Sequence, residues 1–540
     1  MQVMINIIGA GLAGLSAAMT LAEHGIECTL ISAQNSERAQ SVLAEGGINA
    51  ALDTMGEGDT TELHFEETMR GGVQLADPIA VRALTENAPD VVRKLASLGV
   101  PFNRNPDGSI MLRSFGGQRK KRTAFAQSST GKMIMTSLID EVRKYEARGL
   151  VTRFPHHTFV RLLTENGECT GVRVSDNYTG KMYDLHGTVI TAGGGLNGFF
   201  PGITTGTVTN TGNITAVMFA QGVKLANLEM IQYHPTTIGI PGKRCLISEA
   251  ARGEGGRLFS EKKGDELYFM EERYPELGNL MPRDVVSREM FFELRDGRDT
   301  FLDMTGIPAD TWQNKLSDLR KEVMDYMILD PAEDPIPVEP GIHYFMGGIY
   351  TDPSHRTSMP GLFAAGECAC IYHGANRLGG NSMLGAVFGG MTAAKSAAQN
   401  ADKSAGADCS EFTGKDAFAV THSAVFASET CRILSSGLGI VRNESGIKKA
   451  LAEINALPCA NDTETARKAV AQAMLYSALG RTESRGAHFR EDFPETLVNF
   501  RQTTVSEYNG GTVRVTFDDI PERKTDDSND RDTAAEKPYR

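Results

Sequence analysis

Ile5-Asn6-Ile7-Ile8-Gly9-Ala10-Gly11-Leu12-Ala13-Gly14 is the stretch that decides the fold. A short apolar run rich in isoleucine reads as a buried parallel strand, and Gly-x-Gly-x-x-Gly follows it without a spacer. Leu12, Leu15, Met19 and Ala22 then recur on one helical face until Gly25 ends the helix. A second strand over residues 27–32 completes a β-α-β unit. In such a unit Gly9 allows the tight turn, Gly11 lets the backbone approach a pyrophosphate, and Gly14 lets helix and strand pack closely. The expected ligand is a dinucleotide. The acid that NAD-binding chains carry at the end of the second strand is absent, and Ser32 stands there. That weakens an NAD reading more than an FAD one.

Outward from this unit, glycine-rich strand ends return at Ile190-Thr191-Ala192-Gly193-Gly194-Gly195 and Leu362-Phe363-Ala364-Ala365-Gly366-Glu367. Their shared form predicts one sheet built from distant parts of the chain. The expected fold class is α/β: a Rossmann-like FAD-binding domain (residues 1–232 with 344–408) interrupted by an α+β capping domain (233–343). A helical domain over 409–507 follows, and residues 508–540 hold a β-like segment and a charged tail expected to be disordered.

The 540 residues carry 55 Lys and Arg against 68 Asp and Glu, a formal charge of −13. An acidic balance of that size argues against a nucleic-acid partner. No stretch approaches the roughly 18 apolar residues of a membrane span. Nothing at the amino terminus reads as a signal peptide, so a cytoplasmic location is expected, at most peripheral to a membrane through a partner. The eight cysteines, Cys368 and Cys370 among them, form no Cys-x-x-Cys pair and no zinc or iron–sulfur run; no metal site is expected.

A second cluster, Ser41-Val42-Leu43-Ala44-Glu45-Gly46-Gly47, resembles the flavin-facing loop of the succinate dehydrogenase / fumarate reductase flavoprotein family, which also contains L-aspartate oxidases. The resemblance continues in order through Phe115-Gly116-Gly117, Gln232-Tyr233-His234-Pro235-Thr236, Arg252-Gly253-Glu254 and Pro282-Arg283-Asp284. It ends in His343-Tyr344-Phe345-Met346-Gly347-Gly348, Gly366-Glu367, His373 to Ser382, and Glu483-Ser484-Arg485-Gly486-Ala487-His488. It implies FAD held by Gly9, Ala10, Gly11, Gly14, Ser32, Ser41, Gly46, Gly47, Glu367, Asn381, Ser382 and Leu384. Two departures stand out. Gln40 occupies the position of the histidine that flavinylated members bond to the cofactor, so FAD is expected to be non-covalent. The family's Thr-Gly-Asp-Gly reads Thr211-Gly212-Asn213-Ile214, so its cofactor contacts at that turn are not carried over.

The chemistry so implied is hydride transfer between flavin N5 and a dicarboxylate C–C bond. A dianion needs several fixed cations, and guanidinium forks suit carboxylates. Taken alone, His234 before a proline reads as structural and Arg377 as a solvated charge. Within the matched motifs, His234, His343 and Arg377 are implied to bind the substrate carboxylates. Glu249 and Arg252, three residues apart, can pair on one helical face. The resemblance makes them a proton relay to Arg283, the implied general acid, with Ser248 keeping a hydroxyl at the family's Thr position. Aspartate oxidases carry Glu where this chain has Phe115, which offers an ammonium group no partner.

The sequence therefore predicts a fumarate reductase / succinate dehydrogenase flavoprotein, with fumarate reduction favoured because non-covalent FAD goes with a lower flavin potential. L-aspartate oxidase is the alternative enzyme, and a non-catalytic flavin-binding protein the reading from another class. With no iron–sulfur or haem ligands in the chain, electrons are expected from a separate partner such as an iron–sulfur subunit.

Overall fold

A computed structural model describes residues 4–207, 209–400, 409–418 and 421–520. The charged tail from Pro521 onward lies outside the described residues. At the centre is a five-stranded, all-parallel sheet in the order Leu362–Ala364, Thr188–Thr191, Ile5–Ile8, Cys28–Ser32, Val151–Pro155. The two glycine-rich strand ends thus join one sheet with the amino-terminal strand, as their sequences predict. The helix Leu12–Glu23 differs from its expected one-sided face, since every residue from Leu12 to Ala22 is buried. It is enclosed by the sheet and by the helices Thr130–Glu146 and Asn381–Asn400, which leaves no polar face to expose.

Residues between the strands Ile231–Ile240 and Glu339–Phe345 close a core of their own around Leu258, Val286, Met290 and Leu302. Phe115, from outside that segment, inserts into this core. Helices Ala424–Gly437, Glu444–Ala456 and Asp462–Gly480 pack together on the far side. Two stretches assigned to the helical region are strands instead. Cys409–Phe412 adds an edge strand to Met182–His186, where an unpaired backbone edge accepts it and Phe412 lies under Arg173. Gln502–Asn509 pairs with Thr512–Asp519 as a hairpin that also joins Leu225–Ala226. Its β-branched and aromatic residues fit a half-buried sheet better than a helix.

Candidate active site

The sheet's carboxyl ends, the amino terminus of helix Leu12–Glu23 and the inserted segment enclose one cavity of about 430 Å³. Local structure explains each glycine of the turn. Gly9 has φ +107°, and a Cβ there would lie 2.4 Å from the Ala192 carbonyl oxygen. A Cβ on Gly14 would come within 1.8 Å of Gly9 O, so this glycine serves helix–turn packing and not the cavity wall. Gly11 borders the cavity, and the Leu12 amide donates to Ser41 Oγ at 3.2 Å. Ala10, Ser32, Ser41, Gly46, Gly47, Glu367 and Ser382 also line it. Ser32 turns its hydroxyl onto Gln34 O at 2.6 Å.

Asn381 and Leu384 do not face this space. Asn381 Oδ1 accepts from Asn49 Nδ2 at 2.7 Å and pairs with His64 Nε2 at 3.0 Å, while its Nδ2 donates to Thr68. Leu384 is a core residue of the helix Asn381–Asn400, whose second residue, Ser382, and the preceding Gly380 border the cavity. The sequence reading missed several lining groups: His157 to Phe159 beside Ser32, the turn from Thr209 to Ile214, and Tyr344.

At the opposite end the charged side chains converge. The strand Ile231–Ile240 slips register against Glu339–Phe345 between His234 and Thr237, where Pro235 has no amide to donate. That irregularity sets His234 against His343 of the neighbouring strand, with ring centroids 5.2 Å apart. Thr205 Oγ1 lies 2.8 Å from His343 Nδ1. Burial first, then the nearby arginines, push both imidazoles well below the usual histidine range, so both are neutral at pH 7. His234 Nε2 has no hydrogen-bond partner among the described residues.

Arg283 opens the helix Arg283–Arg295. Its Nε donates to Glu249 Oε2 at 3.0 Å, its Nη2 to the same oxygen, and its Nη1 to Gln232 Oε1 at 3.1 Å. Gln232 is itself fixed by donating to Asn376 Oδ1 and Arg377 O, both at 2.8 Å. Glu249 precedes the short helix Ala250–Gly253, which places Arg252 Nη2 3.4 Å from Glu249 Oε1. Gly116 N donates to that same oxygen at 3.0 Å. Burial alone would raise the Glu249 carboxyl, but Arg283 and Arg252 outweigh it and hold it below its ordinary value. Arg252 lies behind this wall and does not line the cavity; its Nη1 donates to Asn279 O at 2.6 Å.

Arg377 sits in the loop after His373, held close because a Cβ on Gly379 would fall 2.8 Å from Glu249 Oε2. Its guanidinium carbon stands 4.5 Å from the Tyr344 ring centroid, and its Nε has no partner among the described residues. Burial, then Arg283, lower it to about 9, still protonated at neutral pH. Phe115 and Ser248 complete this end. Glu367, mid-cavity, is pushed up to about 7 by burial.

This space fits FAD on its own terms. A close-approach glycine turn and the amino termini of three helices, Leu12–Glu23, Asn213–Ala220 and Asn381–Asn400, border it, as an anionic dinucleotide requires. The cationic end could bind a dicarboxylate.

Comparison with known proteins agrees. The family described as "FAD binding domain" matches residues 5–383, and "Fumarate reductase flavoprotein C-term" matches 465–529. The chain is 35% identical over 539 residues to the succinate dehydrogenase flavoprotein subunit of Bacillus subtilis, covering 92% of each. It is 34% identical over 569 residues to the fumarate reductase flavoprotein subunit of Mycobacterium tuberculosis, covering 95% of this chain and 96% of that one. Among solved structures, a variant of E. coli quinol fumarate reductase FrdA superposes with a TM-score of 0.86 at 29% identity, covering 97% of this chain and 98% of that one.

Proposed function

Because the chain belongs to the succinate dehydrogenase and fumarate reductase flavoprotein family, we propose that it exchanges hydride between flavin N5 and a four-carbon dicarboxylate, chiefly to reduce fumarate. It is an FAD-dependent oxidoreductase acting on succinate or fumarate. The observation that carries the finer reading is charge. Arg283, Arg377 and, behind them, Arg252 converge on that end; Glu249 is already committed to two of them, and Glu367, which also faces Arg377, is raised to about 7 by burial. A dianion is stabilised there; a substrate ammonium would meet guanidiniums and the Phe115 ring.

Bound FAD supplies the hydride acceptor or donor. His234, His343 and Arg377 hold the two carboxylates: Arg377 Nε is a donor left over by the protein's own bonds, and the unpartnered His234 Nε2 takes a carboxylate only with a proton on it, since Nδ1 faces Thr236 O at 3.2 Å. Ser248 adds a hydroxyl and Phe115 an apolar wall that excludes water. In fumarate reduction Arg283 gives a proton to the alkene carbon that does not receive hydride. A guanidinium seldom releases a proton, its ordinary pKa being above about 12. Here Glu249 stands ready on two of its donors, and Arg252 on the other carboxylate oxygen, so that the proton is replaced as it leaves.

Gln40 Oε1 accepts from the Thr207 amide, and no imidazole occupies that place. FAD is therefore held without a covalent bond, and acid precipitation is expected to leave the yellow colour in the supernatant; colour retained in the pellet would refute this. Electrons reach the flavin from a separate partner, such as an iron–sulfur subunit. No helix among the described residues is long and apolar enough to cross a membrane, so any membrane association runs through that partner.

The deciding test mixes purified oxidised protein anaerobically with L-aspartate, and dithionite-reduced protein with fumarate. Fumarate is expected to reoxidise the flavin within seconds while L-aspartate leaves the oxidised band unchanged. Bleaching by L-aspartate would make the protein an aspartate oxidase.

A further inference from the structure

Four arginines rank among the largest fully buried side chains: Arg122, Arg467, Arg481 and Arg490. Three have carboxylates against them. Arg122 faces Asp59 at 2.8 Å and Glu67 at 2.9 Å, Arg481 faces Glu229 at 2.7 Å and Glu483 at 3.0 Å, and Arg490 faces Asp492 at 2.7 Å. Arg467, on the helix Asp462–Gly480, has none within 4.0 Å among the described residues. Its Nη1 donates to Thr211 O and, at 3.0 Å, to Asn213 Oδ1; its Nη2 donates to Gly198 O at 2.9 Å. Its guanidinium carbon lies 4.1 Å from the Phe199 ring centroid. Its Nε has no partner among the described residues. Glu464, one turn earlier, accepts from the Ser423 and Ala460 amides instead. Burial lowers Arg467 only to about 9, so the charge persists at pH 7.

That charge abuts the cofactor cavity. Thr211, Gly212 and Asn213 line it at the start of helix Asn213–Ala220, with Gly212 at φ +75°. This turn adjoins the glycine turn: a Cβ on Gly193 would touch Ile214 at 3.1 Å, and one on Gly9 would meet the neighbouring Ala192 O. The groups backed by Arg467 and the Gly9-to-Gly11 turn therefore border the same stretch of cavity.

We propose that Arg467 is a positioning cation for the cofactor, and that Asn213, by being an amide and not an acid, leaves its charge free to attract the FAD pyrophosphate. The inference rests on the FAD reading above. A buried cation whose nearest carboxylate, Glu464, acts on it only from a distance burdens the apoprotein, and in a poorly screened interior it acts on a nearby dianion without touching it. An aspartate at 213 would pair with Arg467 internally and cancel that attraction.

The test uses the full chain, stripped of flavin and titrated with FAD by fluorescence quenching, with thermal melting of each apoprotein. Asn213→Asp is expected to raise the FAD Kd about tenfold and yet to raise the apoprotein melting temperature, because the new ion pair forms inside. Arg467→Gln is expected to weaken FAD by a similar factor. Asn213→Ala, which adds no carboxylate, is expected to lose less FAD affinity than Asn213→Asp, and Arg467→Lys, which keeps the charge but not the fork onto Thr211, Asn213 and Gly198, less than Arg467→Gln. A packing role alone would move apoprotein stability and FAD affinity in the same direction. Parent-like FAD affinity in Asn213→Asp, or an equal loss in Asn213→Ala, would overturn the proposal. Failure of the parent chain to bind FAD would instead overturn the cofactor reading itself.

Discussion

Arg283→Ala is expected to leave FAD bound with an ordinary flavin spectrum and to lower fumarate reduction by about a thousandfold or more, since both a general acid and a charge clamp are lost. The geometry makes the loss specific. Arg283 is set by Nε and Nη2 on Glu249 and Nη1 on Gln232, while its neighbours are held elsewhere, Arg252 on Asn279 O and Arg377 against the Tyr344 ring. Removing it also takes from Glu249 its larger stabilising partner, and that carboxyl should rise. The pH profile of any residual activity is then expected to shift upward. Stopped-flow reoxidation of reduced enzyme by fumarate, alongside a flavin-content measurement, checks both halves. Activity within tenfold of the parent with full flavin content would remove Arg283 from the proton-donor role.

The second large effect is acid lability of the apoprotein. Burial holds His64 and His373 down to about 3 and His355 to about 4, and it pushes His234, His343 and His488 well below their ordinary range. The unfolded chain binds protons at these sites below about pH 6.5 whereas the folded one does not, so stability is full above 6.5 and falls as pH drops towards 4. Glu367, raised to about 7, works the other way: its contribution is full below its unfolded value and is lost as pH rises through 7. From pH 6.5 to 5.5, His64, His373 and His355 each remove about 1 kcal/mol, while Glu367 and Glu45, whose carboxyl burial also raises well above its ordinary range, return part of that loss. The other three histidines add to the loss. Denaturant midpoints at pH 7.5, 6.5 and 5.5 measure this, and a flat series would show that the imidazoles are not held neutral.

Legibility in the sequence followed the physics of each part. The glycine turn could be read directly, because backbone approach and helix packing fix both residue type and spacing over six positions. The convergence of His234, Glu249, Arg283, His343 and Arg377 was legible only through resemblance; no local pattern brings residue 234 against 343. Supporting groups escaped altogether. Gln232, Thr205 and Arg467 are ordinary residues until the fold sets them beside Arg283, His343 and Asn213. Asn381 illustrates the reverse: motif position pointed to the cofactor, while its amide is consumed by Asn49, His64 and Thr68. The strand Cys409–Phe412 had no helical spacing to read, and its pairing depends on an edge supplied some 220 residues earlier.

The parallel sheet also bears on biosynthesis. Its middle strand, Ile5–Ile8, is synthesised well before one neighbour, Thr188–Thr191, and long before the far edge, Leu362–Ala364. At 5–20 residues per second that edge strand emerges roughly 20–70 s after the first, and the loop carrying Arg377 later still. Throughout that interval the apolar amino-terminal β-α-β unit lacks its permanent neighbours. The cavity walls can therefore come together only after the Arg377 loop has been made, long after the glycine turn that borders the same space.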